Sequence, residues 1–107
     1  MKEADKIIQD FTERLKQTRE YRLYDEKKKL AQQEPGLWEQ ISEYRRQNYE
    51  LQNSKEGLFD KIDDFVKTYE DLMANSLVAD YLEAETEVCK MINEIYAQIA
   101  EAINLDL

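Results

Sequence analysis

The sequence predicts an all-α protein in which long antiparallel helices form a helical hairpin or bundle that dimerisation completes. The 107 residues include only two Gly and one Pro, and 36% of them are charged, a composition typical of long helices rather than of a sheet. Apolar residues also recur at steps of three and four through residues 76–105. The resulting face is too broad for one narrow seam, so more than one neighbouring helix must cover it.

The last helix is predicted over residues 77–104, with Ser76 as its N-cap. Two rows share its apolar side, and the acidic residues occupy the other side. The first row consists of Val78, Tyr81, Val88, Ile92, Ile95, Ile99 and Ala102, and the second of Leu82, Cys89, Tyr96 and Ile103. Because Asn75-Ser76 is a short connection, we expect this helix to fold back antiparallel on the one before it.

The first helix is predicted over residues 4–32. Its apolar register shifts after Thr18, which indicates a local bend in the helix. It ends before Glu34-Pro35-Gly36, because proline disfavours helical geometry in the residue that precedes it.

A second helix is predicted over residues 36–74. The inward positions from Leu37 to Leu72 alternate steps of four and three without a slip and are apolar except at Asn48 and Lys55, which favours one helix, weakened or kinked near Gly57. The polar segment Asn53–Gly57 resembles a loop by composition, so two helices with a short joint are the alternative.

The chain is expected to form a single helical domain over residues 1–107. Its charge of −9 is uneven: residues 1–34 carry nine basic and eight acidic groups, and residues 56–107 carry three and thirteen. An acidic C-terminal half repels phosphate, so direct nucleic-acid binding is unlikely on charge grounds. The alternative is an RNA-associated protein that uses the basic first helix directly.

The residue content disfavours catalysis, cofactors and metals. There is no histidine, which removes the common nucleophile–base pairs and most zinc sites. Cys89 is the single cysteine; we expect a buried thiol that packs as a small hydrophobe and, alone, cannot hold an iron–sulfur cluster. With no membrane-spanning run and no secretory segment at the start, a cytoplasmic location is expected.

The candidate interface combines apolar and aromatic residues of the last two predicted helices with one carboxylate. Glu85 lies on the apolar stripe, where it either pairs with a cation or a tyrosine hydroxyl and fixes register, or contacts a partner protein. The interface and core set comprises Phe59, Ile62, Phe65, Val66, Tyr69, Val78, Tyr81, Leu82, Glu85, Val88, Ile92, Ile95 and Ile99. The partners expected for it are a second copy of the chain and other proteins.

Two stretches of the sequence carry a recognisable pattern, residues 20–24, 34–37 and 41–46 in the first, and 75–78, 81–85, 89–92 and 99–106 in the second. The second stretch is the more specific, because a generic amphipathic helix need not begin with Asn-Ser-Leu-Val. Together these stretches resemble the YlbF/YmcA family of small helical bacterial proteins.

The resemblance implies a cytoplasmic, non-enzymatic regulator of Gram-positive bacteria. Better-studied relatives act in a multiprotein complex that tunes endoribonuclease-dependent mRNA maturation, and they influence competence, sporulation and biofilm formation. The chain departs from the family's pattern in two places: Glu34-Pro35 stands in place of Asp-Pro, and the cysteine-bearing C-terminal extension of some relatives is missing. The resemblance therefore implies a shorter paralogue without a cluster.

Overall fold

A computed structural model describes residues 2–105. Met1, Asp106 and Leu107, which the predicted domain also includes, lie outside these residues. The helices are α1 (Lys2–Leu15), α2 (Arg19–Gln33), α3 (Leu37–Gln52), α4 (Leu58–Thr68), α5 (Glu70–Ala74) and α6 (Ser76–Ala102). The described part of the chain contains no strand, so the predicted all-α class is confirmed. The hairpin or bundle and the dimer stay predictions.

The chain divides into two compact units. The first contains the segment up to Lys27 together with the segment from Leu82 onward, and the second is Lys28–Tyr81. Helices α2 and α6 each contribute to both units. The prediction of a single domain stays a prediction, because compact units of one chain need not be separate domains.

The predicted first helix is two helices, separated at residues 16–18. Thr18 explains the break: its Oγ1 donates to the carbonyl of Leu15 at 2.6 Å and accepts the N–H of Tyr21 at 3.2 Å. A threonine that caps a new helix in this way competes with continuation of the old one. The shift of apolar register after Thr18 therefore marks a break between two helices rather than a bend.

The predicted helix over 36–74 is three helices, so the expectation of one continuous helix is wrong and the break near Gly57 is real. Gly57 has φ +64 and precedes α4, a conformation that costs glycine little and other residues more. The second break, at Tyr69, follows Thr68, whose hydroxyl donates to the carbonyl of Asp64 at 2.7 Å. Hydrogen bonds of this kind bend helices.

Helix α6 begins and ends with recognisable caps. Asn75 is the N-cap: its Oδ1 accepts the N–H of Leu77 at 2.9 Å and of Val78 at 3.4 Å. The prediction of Ser76 as the cap was wrong by one residue, since Ser76 already lies in the helix. At the other end Asn104 has φ +60, and the N–H of Leu105 bonds the carbonyl of Ala100 at 2.8 Å, the pattern of a Schellman motif.

The second unit contains most of the fully buried apolar side chains. Tyr81 is 1% exposed and lies edge-on to Trp38, with ring centroids 5.5 Å apart. The guanidinium of Arg45 donates to the Tyr81 hydroxyl at 2.9 Å and lies 5.4 Å from its ring centroid. The buried side chains of this unit are Ala31, Leu37, Ile41, Leu72, Val78 and Tyr81.

The first unit buries less. Its buried residues are Ala84, Val88 and Ala100, and α1 contributes none. Ile7 and Ile8 of α1 are 68% and 61% exposed. This unit therefore leaves apolar surface in water that a complete core would cover.

Across residues 2–105, no helix combines the length and the apolar character needed to cross a lipid bilayer.

Candidate functional site

An exposed apolar stripe follows the C-terminal half of α6 and the turn after it. Cys89, Ile92, Tyr96, Ile99 and Ile103 follow one another at steps of three, four, three and four, which places them on one side of a helix. Tyr96 and Ile103 are 60% and 64% exposed, and Ile92 and Ile99 are also exposed. We call these five residues the α6 face. Large apolar stripes of this kind mark sites of association.

The α6 face carries no charge. The charged residues of this part of the helix, Lys90, Glu94 and Glu101, lie about half a turn away, because each residue rotates the helix by about 100°. A surface without charge on a chain of net charge −9 can meet an identical surface without placing like charges together.

A second exposed stripe lies on α4, in the other unit. Phe59, Ile62 and Val66 stand at positions i, i+3 and i+7 and are 89%, 41% and 59% exposed. We call these three residues the α4 face. Asp63 lies beside the α4 face and forms an ion pair with Lys67, with 3.2 Å between the Oδ2 of Asp63 and the Nζ of Lys67.

The predicted interface and core set is divided between interior and surface. Val78, Tyr81 and Val88 are buried within the chain and therefore belong to its core. The half-buried members are Phe65, Tyr69, Leu82, Glu85 and Ile95, and the exposed members are Phe59, Ile62, Val66, Ile92 and Ile99.

Phe65 and Tyr69 join an aromatic cluster that the second unit forms within itself. Both rings pack against Tyr44, with centroids 5.4 and 5.3 Å away, and they lie 5.0 Å from each other. These two residues therefore stabilise the contact between α3 and the end of α4, and less of their surface is available to a partner.

Glu85 is half-buried and has an interaction partner within the chain. Cys89 is exposed, so the expectation of a buried thiol is wrong for the single chain. It lies on the apolar side, as predicted, but none of residues 2–105 covers the thiol.

Sequence reasoning missed Arg45 as a partner of Tyr81 and left Tyr96 and Ile103 out of the candidate set. The row at seven-residue intervals that contains Tyr96 and Ile103 was the signal for these two. No local pattern indicated the bond from Arg45, because 36 residues separate the two side chains.

An open groove of about 500 Å³ lies between α3 and α4. Phe65 and Tyr69 line one part of it, and Lys61 bonds Ser54 at another, Nζ to Oγ 2.6 Å. Partial burial, with the nearby negative charge of Glu43, raises the pKa of the Tyr69 phenol above its usual value. At neutral pH this group is a protonated hydroxyl with no proton-transfer role.

The clearest electrostatic feature is a surface ion-pair network on α3. Hydrogen bonds from Arg46, at 2.6 Å, and from Gln47 lower the pKa of the Glu43 carboxyl. Arg46 also pairs with Glu50 at 3.0 Å. All these groups are exposed, so the network supports the helix and does not form a reactive centre.

Within residues 2–105, no three His, Cys, Asp or Glu side chains group in a way that could hold a metal ion.

Comparison with known proteins identifies the family. The sequence model of the family described as "Control of competence regulator ComK, YlbF/YmcA" matches residues 4–104. The chain belongs to the YlbF/YmcA family. The family is described as a regulator of competence, and that description names no catalytic activity.

Two relatives match most of the chain. The UPF0342 protein of Desulfitobacterium hafniense (strain Y51) is 28% identical over 99 residues, covering 89% of this chain and 80% of the relative. The UPF0342 protein of Symbiobacterium thermophilum is 25% identical over 97 residues, covering 87% of each. No solved structure matches the chain significantly.

Proposed function

We propose that this YlbF/YmcA protein is a non-enzymatic regulatory adaptor that acts through protein–protein association, and that two copies pair through the α6 face. The observation that carries the proposal is the exposure of Ile92, Tyr96, Ile99 and Ile103 on one uncharged stripe. Membership of a family that controls competence supports the regulatory part of the proposal. By analogy with better-studied relatives, we extend the proposal to mRNA maturation, sporulation and biofilm formation.

Pairing of identical copies suits the α6 face for energetic reasons. Burying an isoleucine or tyrosine side chain that is half exposed removes apolar surface from water, at about 25 cal/mol per Å². An isologous contact repeats each such gain on both copies. Since the α6 face carries no charge, the gain is not offset by desolvation of ions or by repulsion.

The exposed apolar residues of α1 support the same proposal. Ile7, Ile8 and Phe11 are 68%, 61% and 37% exposed, and they belong to the same unit as the α6 face. A stable interface buries about 800 Å² per partner, which is more than a single short helical stripe provides. We expect α1 to contribute the remainder.

Ile99→Asp tests the pairing. It places a charge on the α6 face at a position that is 48% exposed, so the single chain tolerates it. Light scattering coupled to size-exclusion chromatography should report a dimer for the wild-type chain and a monomer for Ile99→Asp, with unchanged helical circular dichroism. Phe59→Asp is the matched control on the α4 face and should remain dimeric. A wild-type chain that is monomeric at micromolar concentration would refute the pairing.

The regulatory role is tested in the bacterium that carries the gene. Replacing the chromosomal copy by Ile99→Asp should change transformation frequency as much as deletion does, with normal protein abundance on a blot. Unchanged competence in the deletion strain would contradict the regulatory assignment, whatever the oligomeric state.

The RNA-associated alternative receives less support. Its nine cations in residues 1–34 are accompanied by eight acidic groups, and three of them, Lys27, Lys28 and Lys29, already have an interaction partner within the chain. Nucleic-acid binding needs a basic patch that is not neutralised. RNA binding by the purified chain that weakens steeply with salt would favour the alternative, and absence of binding would favour the adaptor.

A further inference from the structure

The α4 face requires an explanation that pairing through α6 does not provide. Phe59 is 89% exposed, although burial of a phenylalanine side chain is worth about 1.5–3 kcal/mol. Ile62 and Val66 continue the stripe, which extends about 10 Å along the helix at 1.5 Å per residue. Leu58, 41% exposed, widens it at the start of the helix. This surface is in the second unit, whereas the α6 face is in the first.

The electrostatic surroundings of the two faces differ. Helices α4 and α5 carry five acidic and two basic residues, a net charge of −3. Both lysines are engaged, Lys67 with Asp63 and Lys61 with Ser54. The carboxylate of Asp60, one turn before Asp63 on the same side of the helix, has no ion-pair partner within residues 2–105. The α4 face is therefore apolar with an acidic border.

The acidic border of the α4 face indicates which kind of partner can bind there. A second copy docking through the same face would place acidic border against acidic border, which costs energy. RNA and anionic membrane surfaces are repelled for the same reason. A partner helix with an apolar stripe and flanking Lys or Arg matches both the apolar surface and the acidic border. Its stripe would bury Phe59, and its cations would lie close to Asp60 and Asp63.

We infer that the α4 face is a docking site for a basic amphipathic helix of another protein. The partner's apolar residues, at helical spacing, cover Phe59, Ile62 and Val66, and its cations pair with the acidic border. This site goes beyond the proposed pairing of copies and does not depend on it, because the two faces are on different helices.

Two synthetic peptides of about 18 residues provide the probe. Both carry leucine at helical spacing, and the remaining positions are Lys and Arg in one and Glu in the other. Fluorescence anisotropy with the full chain should show binding of the basic peptide, weaker at higher salt because screening reduces the ionic contribution. The Glu peptide should bind at least about tenfold more weakly. Equal affinity for the two peptides, or no binding of the basic one, would overturn the inference.

Substitutions localise the binding. Phe59→Asp should weaken binding of the basic peptide at least about tenfold, as expected for a central aromatic anchor. The variant should melt like the wild-type chain, because Phe59 has little surface to lose. Tyr49→Asp is the matched control, an aromatic residue of α3 that is 70% exposed, and should change the affinity less than twofold. Equal losses in the two variants would show unspecific adhesion and refute the site.

Two further variants test the charge of the acidic border and the independence of peptide binding from the α6 face. Asp60→Lys should weaken the basic peptide and strengthen the Glu peptide, since it reverses one charge of the border. Ile99→Asp, which tests pairing, should leave the affinity for the basic peptide unchanged. A loss of peptide binding in Ile99→Asp would place the site on the α6 face and overturn the inference, whereas a chain that stays monomeric yet binds the peptide would refute only the pairing.

Discussion

The two halves of α6 share the same apolar spacing, but one half is buried on that side and the other is exposed. From Ser76 to Val88 the helix buries Val78, Tyr81, Ala84 and Val88. From Cys89 to Ala102 the apolar spacing continues, but Ala100 is the single buried residue of the described helix there. Its carbonyl accepts the N–H of Leu105 in the C-terminal Schellman motif.

The difference shows what apolar periodicity encodes. Spacing of three and four specifies which side of a helix avoids water. It does not specify whether the covering surface comes from the same chain or from another molecule. The N-terminal half of α6 is covered by its own chain, and the C-terminal half presents the same kind of stripe to solvent.

The largest expected contrast comes from two tyrosines of the same helix. Tyr81→Ala should lower the free energy of unfolding by about 3–5 kcal/mol, because it opens a cavity at a side chain that is 1% exposed. Tyr96→Ala, at 60% exposure, should change it by less than about 0.5 kcal/mol. Urea denaturation at a protein concentration low enough for monomers measures both.

Dimerisation, in contrast to stability, should depend on Tyr96. Tyr96→Ala should raise the concentration at which the dimer dissociates, since truncated tyrosines at interface centres commonly weaken binding. Similar losses of unfolding free energy for Tyr81→Ala and Tyr96→Ala would show that the halves of α6 do not differ as described.

A smaller effect is expected at the N-terminus of α6. Asn75→Ala removes the acceptor for the N–H groups of Leu77 and Val78 and should cost about 1 kcal/mol. Ser76→Ala, one residue later and exposed, is the matched control and should be nearly neutral. Thermal melting of both variants checks this, and the reverse order of stabilities would restore Ser76 as the cap.

A smaller loss of stability than that of Asn75→Ala is expected from Tyr81→Phe. It keeps the ring packed against Trp38 and removes the hydroxyl that accepts the hydrogen bond from Arg45. The cost should stay below about 1 kcal/mol, because Arg45 is exposed and water can replace the lost acceptor. A loss as large as that for Tyr81→Ala, measured by urea denaturation, would mean that the hydrogen bond, not ring packing, stabilises this half of α6.

The elements that sequence predicted well are those with an unbroken pattern and clear end signals. Helix α6 was placed within two residues of its bounds at each end, since Asn75-Ser76 precedes a long regular run. The shift of apolar register located the irregularity at Thr18, but it did not show that the helix breaks there, which the side-chain hydrogen bonds of Thr18 accompany. The break at Tyr69 was not predicted, because the apolar spacing continues through it. Gly57 was identified as a weak point, but its left-handed conformation depends on the folded chain.

Sequence predicted only some properties of the residues in the two exposed faces. The pattern identified Phe59, Ile62, Val66, Ile92 and Ile99 as apolar side chains on a common side of their helices. It could not separate them from Val78 and Tyr81, which the chain buries itself, because both groups follow the same spacing. Only the folded arrangement of α3 against the start of α6 makes that separation.

The left-handed turn at Asn104 limits the length of the α6 face. It ends the stripe one residue after Ile103, so the face spans about 21 Å from Cys89, or two heptad repeats. Sequences that form coiled coils sustain their apolar repeat over three to four heptads. In the proposed pairing, a face this short, even with the contribution expected from α1, would make the dimer reversible, so that the fraction of paired molecules would rise and fall with the amount of protein that the cell makes.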